Sequence, residues 1–591
     1  MIPVTSVHRD LRVQPPSRLR PSLTPAAERL IRDAAQRGPV VYALRRTRLW
    51  RMDLRALDQA LVRAGLPRPR GDALRWLDDP PAPLAPDAQI VPLSLLWGAW
   101  PFRAAPGRLD RWAGDDEDPG LLRALVGALG RGGRARVLAG APLDPAERSG
   151  ASWAELARLL DARISAARQA AAGPIRVSAA TLRARALADP RVQACAAEGD
   201  AAEARRRYTA IAADPIPGSM DVSLRVVMVA MRRIFEGFEV DEAGVEALRA
   251  AAAQGPLLLA PAHRSHLDYL LILKLLIERD LAPPTVAAGQ NLAFFPLSWI
   301  MRTGNAFFIR RSQTLEGLSG AVLSAYLTQL VQHGQSLKIY LEGGRTRTGR
   351  VGEARLGLLS IAADAAVSGA APGLRLVPLS VGYERVLEAG AVTAELEGRP
   401  KRPEGLHSLV SAASLLWRRD NHGYVNVQIG APIRVADFLA AHGYGRPGQG
   451  PERKAAIAAL GAYTMAQVRA LTALTPTALL AAALVDAPAD AALPWADLTA
   501  RARALAADAR ARGARLCVAG GPVDDNANLT RAAALLTREG VLTVEGAGAD
   551  RRVRAVAARG TLLRYYANLA EGALGDVRIS STHGGHPCPS T

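Results

Sequence analysis

An apolar run, Pro256 to Pro261, ends in Ala262-His263-Arg264-Ser265-His266-Leu267-Asp268-Tyr269, and a second apolar run, Leu270 to Ile277, follows with helical spacing. A histidine and a carboxylate five residues apart can act as a general base and the group that orients it. On one continuous helix the two would stand roughly 140° apart around the axis. They meet only if His263 lies in the turn between strand and helix. There the unpaired N–H groups and the positive end of the helix dipole favour the neutral imidazole, the form that takes a proton. Asp268 would fix the tautomer and stabilise the imidazolium, as in a triad without its serine. The same N–H groups are candidate oxyanion donors. His263-x-x-His266 with Asp268 also suits a metal ion, but no second cluster of His, Cys or Asp supplies further ligands. The plainest alternative is a pair of histidines that only cap a helix.

Three further segments follow. Gly304-Asn305-Ala306-Phe307-Phe308-Ile309-Arg310-Arg311 is an apolar strand ending in two guanidinium groups, whose forked donors match phosphate oxygens. Ile339-Tyr340-Leu341-Glu342-Gly343-Gly344-Arg345-Thr346-Arg347-Thr348-Gly349-Arg350 runs from a strand into a Gly-rich turn. Its glycines would let backbone N–H groups approach an anion, and it lacks the nucleotide P-loop pattern. Leu376-Val377-Pro378-Leu379-Ser380-Val381-Gly382-Tyr383-Glu384 reads as a buried strand.

The elements that must position these residues are those of an α/β fold. Apolar runs at Pro256 to Pro261, Ala306 to Ile309, Ser336 to Leu341, Leu374 to Val381 and Val425 to Ile429 alternate with helical stretches, the pattern of strands joined by crossover helices. Upstream, Val40 to Leu44 and Ile90 to Leu93 read as strands, and Leu54 to Ala64, Trp153 to Ala171 and Ser223 to Phe238 as helices. The expected organisation is a flexible basic arm over 1–35, an α/β region over 36–149 and a helical connector over 150–250. A catalytic domain over 251–440, a helical region over 441–580 with a strand-like break at Leu516 to Ala519, and a disordered tail over 581–591 complete it.

The four segments, in this order and at these separations, resemble the four motifs of the glycerolipid acyltransferases. They are most similar to the bacterial membrane-associated glycerol-3-phosphate 1-O-acyltransferases, a branch related to the mitochondrial enzymes and to dihydroxyacetone-phosphate acyltransferase. The likeness continues through Val286 to Leu292, Gly423 to Val427 and Leu563 to Asn568. Asn305 stands where the branch usually has glycine, Thr346 where it usually has serine, and Ala354-Arg355-Leu356 replaces a Pro-Lys-Thr-like stretch.

The resemblance implies a mixed sheet with flanking helices, plus helical N- and C-terminal regions. It implies acyl transfer from acyl-CoA or acyl carrier protein to the 1-hydroxyl of glycerol 3-phosphate, or of a related acceptor such as dihydroxyacetone phosphate. His263 is then the general base and Asp268 its orienting partner. Arg310, Arg311 and Arg345 bind the acceptor phosphate, Glu342, Gly343 and Gly344 shape its pocket, and Pro378 belongs to the acyl-donor motif. No metal and no cofactor beyond the acyl carrier is expected.

Composition narrows the partners. The 591-residue chain carries a net charge of +19, with 74 basic residues of which only Lys274, Lys338, Lys401 and Lys454 are lysines. Residues 1–75 hold 16 arginines against six acidic residues. Such a surface attracts anionic lipid or nucleic acid, and a non-catalytic basic adaptor would share it. That alternative leaves the histidine, the aspartate and the arginine segments unexplained, so anionic membrane lipid is the expected partner and nucleic acid is not. No run of about 18 uninterrupted apolar residues suggests a spanning helix, and no secretory signal is recognisable. The expected location is the cytoplasmic face of the cell membrane, held peripherally. Leu292 to Ile300 is an apolar-aromatic stretch suited to shallow insertion. Cys195, Cys517 and Cys588 match neither a disulfide framework nor a zinc spacing.

Overall fold

The computed structural model describes residues 22–47, 49–69, 71–79, 83–96, 103–104, 136–196, 201–215, 231–279, 281–290, 294, 297–309, 316–399, 422–487 and 491–575. These residues fall into two compact units, one of residues up to 178 with 276–283, the other of 179–275 with 284 onward.

The first unit is built on strands β1 (Ser22–Leu23), β2 (Val40–Leu44), β3 (Leu74–Trp76), β4 (Gln89–Leu96) and β5 (Arg136–Ala139) in the order β1-β5-β4-β2-β3. Every residue of β2 and β4 is buried, because both faces are covered. Tyr42, Leu44, Val91 and Leu93 pack with Ile31, Leu57 and Leu61 of helices α1 (Pro25–Arg37) and α2 (Trp50–Ala64). The alternate residues Ala43 and Ile90 pack with Leu156 and Leu160 of α3 (Trp153–Ala172), the period of two expected of strands. Residues 22–35, read from sequence as the end of an arm, are ordered. Ser22 and Leu23 pair with Arg136 and Val137, and Thr24 caps α1 by accepting the Ala27 N–H at 3.1 Å.

The second unit contains an eight-stranded mixed sheet. Its strands are β6 (Gly237–Val240), β7 (Leu257–Pro261), β8 (Thr285–Gly289), β9 (Ala306–Ile309), β10 (Leu337–Lys338), β11 (Arg375–Tyr383), β12 (Tyr424–Ile429) and β13 (Ile433–Arg434). The order is β9-β8-β10-β7-β11-β12-β6, with β13 also on β11. The ladders from β9 to β11 are parallel and β11–β12 is antiparallel. The core gathers Leu258, Phe307, Leu337 and Leu376 of the sheet with Tyr326 and Leu330 of helix α4 (Gly317–Gln332) and Leu359 and Ala363 of α5 (Leu356–Val367).

All five strands expected in this region are present, Ala306 to Ile309 with the expected ends and the other four with shifted ones. The one drawn over Ser336 to Leu341 keeps only Leu337–Lys338, because the chain turns at Tyr340, whose carbonyl accepts the Gly343 N–H at 3.0 Å. Three strands had no clear signal: β8 reads Thr-Val-Ala-Ala-Gly, poor in strand-forming residues, β6 is only half-buried, and β13 is two residues long. Gly237 and Phe238 lie in β6, not in the helix drawn over Ser223 to Phe238; residues 223–230 of that reading lie outside the described residues.

The C-terminal region, expected to be helical, also holds a three-stranded antiparallel sheet of Leu493–Pro494, Arg552–Ala555 and Leu542–Glu545. Charged residues in two- and four-residue strands conceal the alternation. Leu516 makes a single bridge to Leu474. No described helix is long and apolar enough to cross a membrane.

Candidate active site

Strand β7 ends at Pro261, and helix α6 (Leu267–Glu278) begins six residues on. Between them His263 sits in the turn with its Nδ1 3.1 Å from Oδ2 of Asp268. The Asp268 side chain is fully buried and that of His263 is 15% exposed. The turn is folded around the carboxylate: Oδ2 also accepts the N–H groups of Arg264 at 2.7 Å and Ser265 at 3.0 Å. Oδ1 takes a short hydrogen bond from the hydroxyl of Tyr383 at the end of β11.

The imidazole is held on its other side by the ring of Tyr340, stacked at 3.8 Å between centroids. Burial lowers the proton affinity of His263, the hydrogen bond it donates to Asp268 opposes that, and the charge of Arg345 adds to the lowering. The net direction is below the ordinary imidazole value, so the resting ring is neutral. Burial, rather than the helix dipole, is the main cause. Beneath Tyr340, the buried ammonium of Lys338 stands 4.7 Å from the Tyr269 ring and 5.3 Å from the Tyr340 ring. Burial lowers its pKa to about 7, against the pull of Asp268.

The turn leaves no backbone donor for an oxyanion. His263 N–H donates to Glu342 Oε1 at 2.8 Å, and His266 N–H to Glu388 Oε1 at 3.1 Å. Leu267 N–H donates to Ser265 Oγ at 3.1 Å and Asp268 N–H to the Ser265 carbonyl at 3.2 Å. With the two bonds to Asp268, all six N–H groups from His263 to Asp268 are engaged within the protein.

Glu342 stands at the head of the Gly-rich turn. Besides the His263 N–H, it accepts the Gly352 N–H at 3.0 Å, and burial pushes its pKa up. Both oxygens therefore brace backbone. Gly343 has φ +69, a left-handed conformation that favours glycine, and a Cβ there would meet only the flexible Arg355 side chain among its nearest atoms. Gly344 faces open space. Thr346 N–H donates to the His263 carbonyl at 2.9 Å, tying the arginine-bearing loop to the His263 turn.

Pro378 is not brought to the pair. It is buried inside the sheet opposite Ala260, five residues from Tyr383 and thus on the other face of β11. Arg310 and Arg311 lie outside the described residues, which stop at Ile309. His266 is exposed, and among the described residues no three His, Cys, Asp or Glu side chains converge to hold a metal.

Two departures from the family pattern have local explanations. Asn305 has φ +74, a left-handed conformation for which glycine is the usual choice and asparagine a tolerated one. Its Nδ2 donates to the Pro284 carbonyl at 3.0 Å. Thr346 Oγ1 accepts the Gly349 N–H at 3.1 Å, a contact that serine would make equally.

Sequence reading passed over Tyr383, Tyr340, Lys338 and Glu388. Lys338 and Tyr340 alternate two residues apart, the signal of a shared strand face. Glu388 gave none, since it meets Ser265 and His266 only through the fold.

The histidine–aspartate turn at the end of a mostly parallel strand array defines an acyltransferase domain, and residues 240–382 match the Acyltransferase family model. Residues 393–570 match the glycerol-3-phosphate acyltransferase C-terminal region. Through these two regions the chain is similar to the glycerol-3-phosphate acyltransferases. The glycerol-3-phosphate acyltransferase of Alteromonas mediterranea is 34% identical over 373 residues, 60% of this chain and 45% of that one. That of Pseudomonas putida is 31% identical over 508 residues, 76% of this chain and 60% of its own length. That of Pseudoalteromonas translucida is 30% identical over 453 residues, 68% and 55% of the two chains. The matched residues thus span about half the length of these relatives.

Proposed function

We propose that the chain transfers a fatty acyl group from a thioester carrier, acyl-CoA or acyl carrier protein, to the 1-hydroxyl of glycerol 3-phosphate, giving lysophosphatidic acid. The observation that carries this reading is the buried His263–Asp268 pair tied through Thr346 to the loop bearing Arg345, Arg347 and Arg350. With the Nδ1 proton donated to Asp268, Nε2 carries the lone pair. In this mechanism Nε2 takes the proton of the 1-hydroxyl as its oxygen attacks the thioester carbonyl. A C–O bond forms, the C–S bond breaks, and the imidazolium returns its proton to the departing thiolate. Asp268 stabilises the imidazolium. No acyl-enzyme, metal or further cofactor takes part.

Arg345, with Arg310 and Arg311, binds the acceptor phosphate through charge-assisted hydrogen bonds. General-base catalysis supplies on the order of 10² to 10⁴ in rate, and positioning of the two substrates much of the rest. Peripheral attachment to the cytoplasmic face of an anionic membrane fits this chemistry, because acyl donor and product are amphiphiles. Trp299, at 54% exposure, and Ile300 project to solvent from the helix Leu297–Thr303. The test is an assay of purified protein with glycerol 3-phosphate or dihydroxyacetone phosphate, each offered both donors. Formation of lysophosphatidic acid supports the reading, and transfer to neither acceptor from either donor refutes it.

A further inference from the structure

The segment Leu563 to Asn568 carries part of the sequence likeness but has no place in the chemistry above. In the structure it ends helix α7 (Gly560–Asn568), against the far side of the loop that follows Glu342. Asn568 Nδ2 donates to the Thr348 carbonyl at 2.8 Å. Gly349 has φ +85, and a Cβ there would lie 2.2 Å from the Tyr565 carbonyl oxygen, so the loop backbone rests directly on helix backbone. Glu571 Oε2 accepts the Val351 N–H at 3.3 Å, and Arg469 Nη2 donates to the Val351 carbonyl at 3.3 Å. Arg469 and Glu571 are themselves paired at 3.3 Å.

The loop is therefore held from two sides. Its near side is fastened to the catalytic turn, by Thr346 N–H on the His263 carbonyl and by Glu342 bridging His263 and Gly352. Its far side is fastened through groups more than a hundred residues downstream, Asn568, Glu571 and Arg469, and Arg347 pairs with Glu395 at 3.8 Å. Between the two lie Arg345, Arg347 and Arg350. Displacing a guanidinium by even an ångström weakens a forked phosphate contact, whose strength depends on geometry.

We propose that Asn568, supported by the Arg469–Glu571 pair, is a positioning residue for acceptor binding. It holds the arginine loop in register with His263, so that the C-terminal region sets the affinity for the acceptor's phosphate without touching it. The inference rests on the acceptor reading given above.

The test compares wild-type protein with Asn568→Ala and the isosteric Asn568→Asp, which fills the same space but cannot donate. Both variants should raise the KM for glycerol 3-phosphate about two- to tenfold, as expected for one lost hydrogen bond, with kcat and the acyl-donor KM within about twofold of wild type. Arg469→Ala should act in the same direction. Thermal midpoints report whether each variant is folded. An unchanged acceptor KM in folded Asn568→Asp overturns the proposal. So does a parallel loss of kcat and both KM values, or a normal KM in Asn568→Asp beside a raised one in Asn568→Ala, which would mean packing alone. If the wild-type protein itself acylates no glycerol 3-phosphate, the acceptor reading fails first and this inference with it.

Discussion

The hydroxyl of Tyr383 donates to one oxygen of Asp268 while the other oxygen receives the imidazole of His263 and two backbone N–H groups. The carboxylate is thus shared between the imidazole of His263 and a tyrosine 115 residues away. Its charge is partly neutralised on the Tyr383 side, which limits how strongly it draws a proton onto His263.

Tyr383→Phe removes that donor and little else. The account predicts a roughly tenfold fall in kcat from looser aspartate geometry. It also predicts a rise in the pH of half-maximal kcat/KM, because a less neutralised Asp268 stabilises the imidazolium. Glu388, Tyr340 and Lys338 bear on the same group of charges and are unchanged in the variant. A profile superimposable on wild type would show that the hydrogen bond has no effect on the base.

Burial holds His263 below the ordinary imidazole value of 6.5. A base is active when neutral, so activity is retained as pH falls through 7 and is lost only below 6.5. The measurement is kcat/KM against pH at saturating donor. An ascending limb centred above 6.5 would contradict the environment described.

At Asn305 the left-handed backbone makes a graded prediction. Asn305→Gly relieves the conformation but loses the bond to Pro284, and should change stability by less than about 1 kcal/mol. Asn305→Ala keeps the strain and loses the bond, and should cost roughly 1–3 kcal/mol. Denaturant midpoints order the three proteins.

Much of the site was open to local reasoning. An apolar run, a polar turn and a helical run are short-range patterns, so the strand–turn–helix around His263 and the need for His263 to sit in the turn followed from spacing. What escaped was long-range. The use of Glu342 and Glu388 to satisfy the turn's N–H groups, the face on which Pro378 lies and the Tyr383–Asp268 bond join residues some 80 to 120 positions apart. No periodicity records such pairings. The helical bias of the C-terminal region hid its short sheet for the opposite reason: its strands are too brief and too charged to show an alternating face.

Membrane association is tested with vesicles. The protein should sediment with anionic vesicles at low salt, bind neutral ones less, and be partly released by high salt, since screening weakens headgroup attraction. Trp299→Ser should reduce sedimentation without altering turnover of a soluble short-chain donor. Protein remaining in the supernatant with anionic vesicles at low salt would refute the attachment and leave the catalytic reading intact.

The central claim is that His263 is the base for acyl transfer, and the direct measurement is steady-state turnover of purified His263→Ala with glycerol 3-phosphate and a long-chain acyl thioester. The neighbouring strand and helix keep their apolar faces, so the variant should fold with a thermal midpoint close to wild type. Its kcat should fall at least about a hundredfold. A folded His263→Ala protein turning over at near wild-type rate would contradict the mechanism.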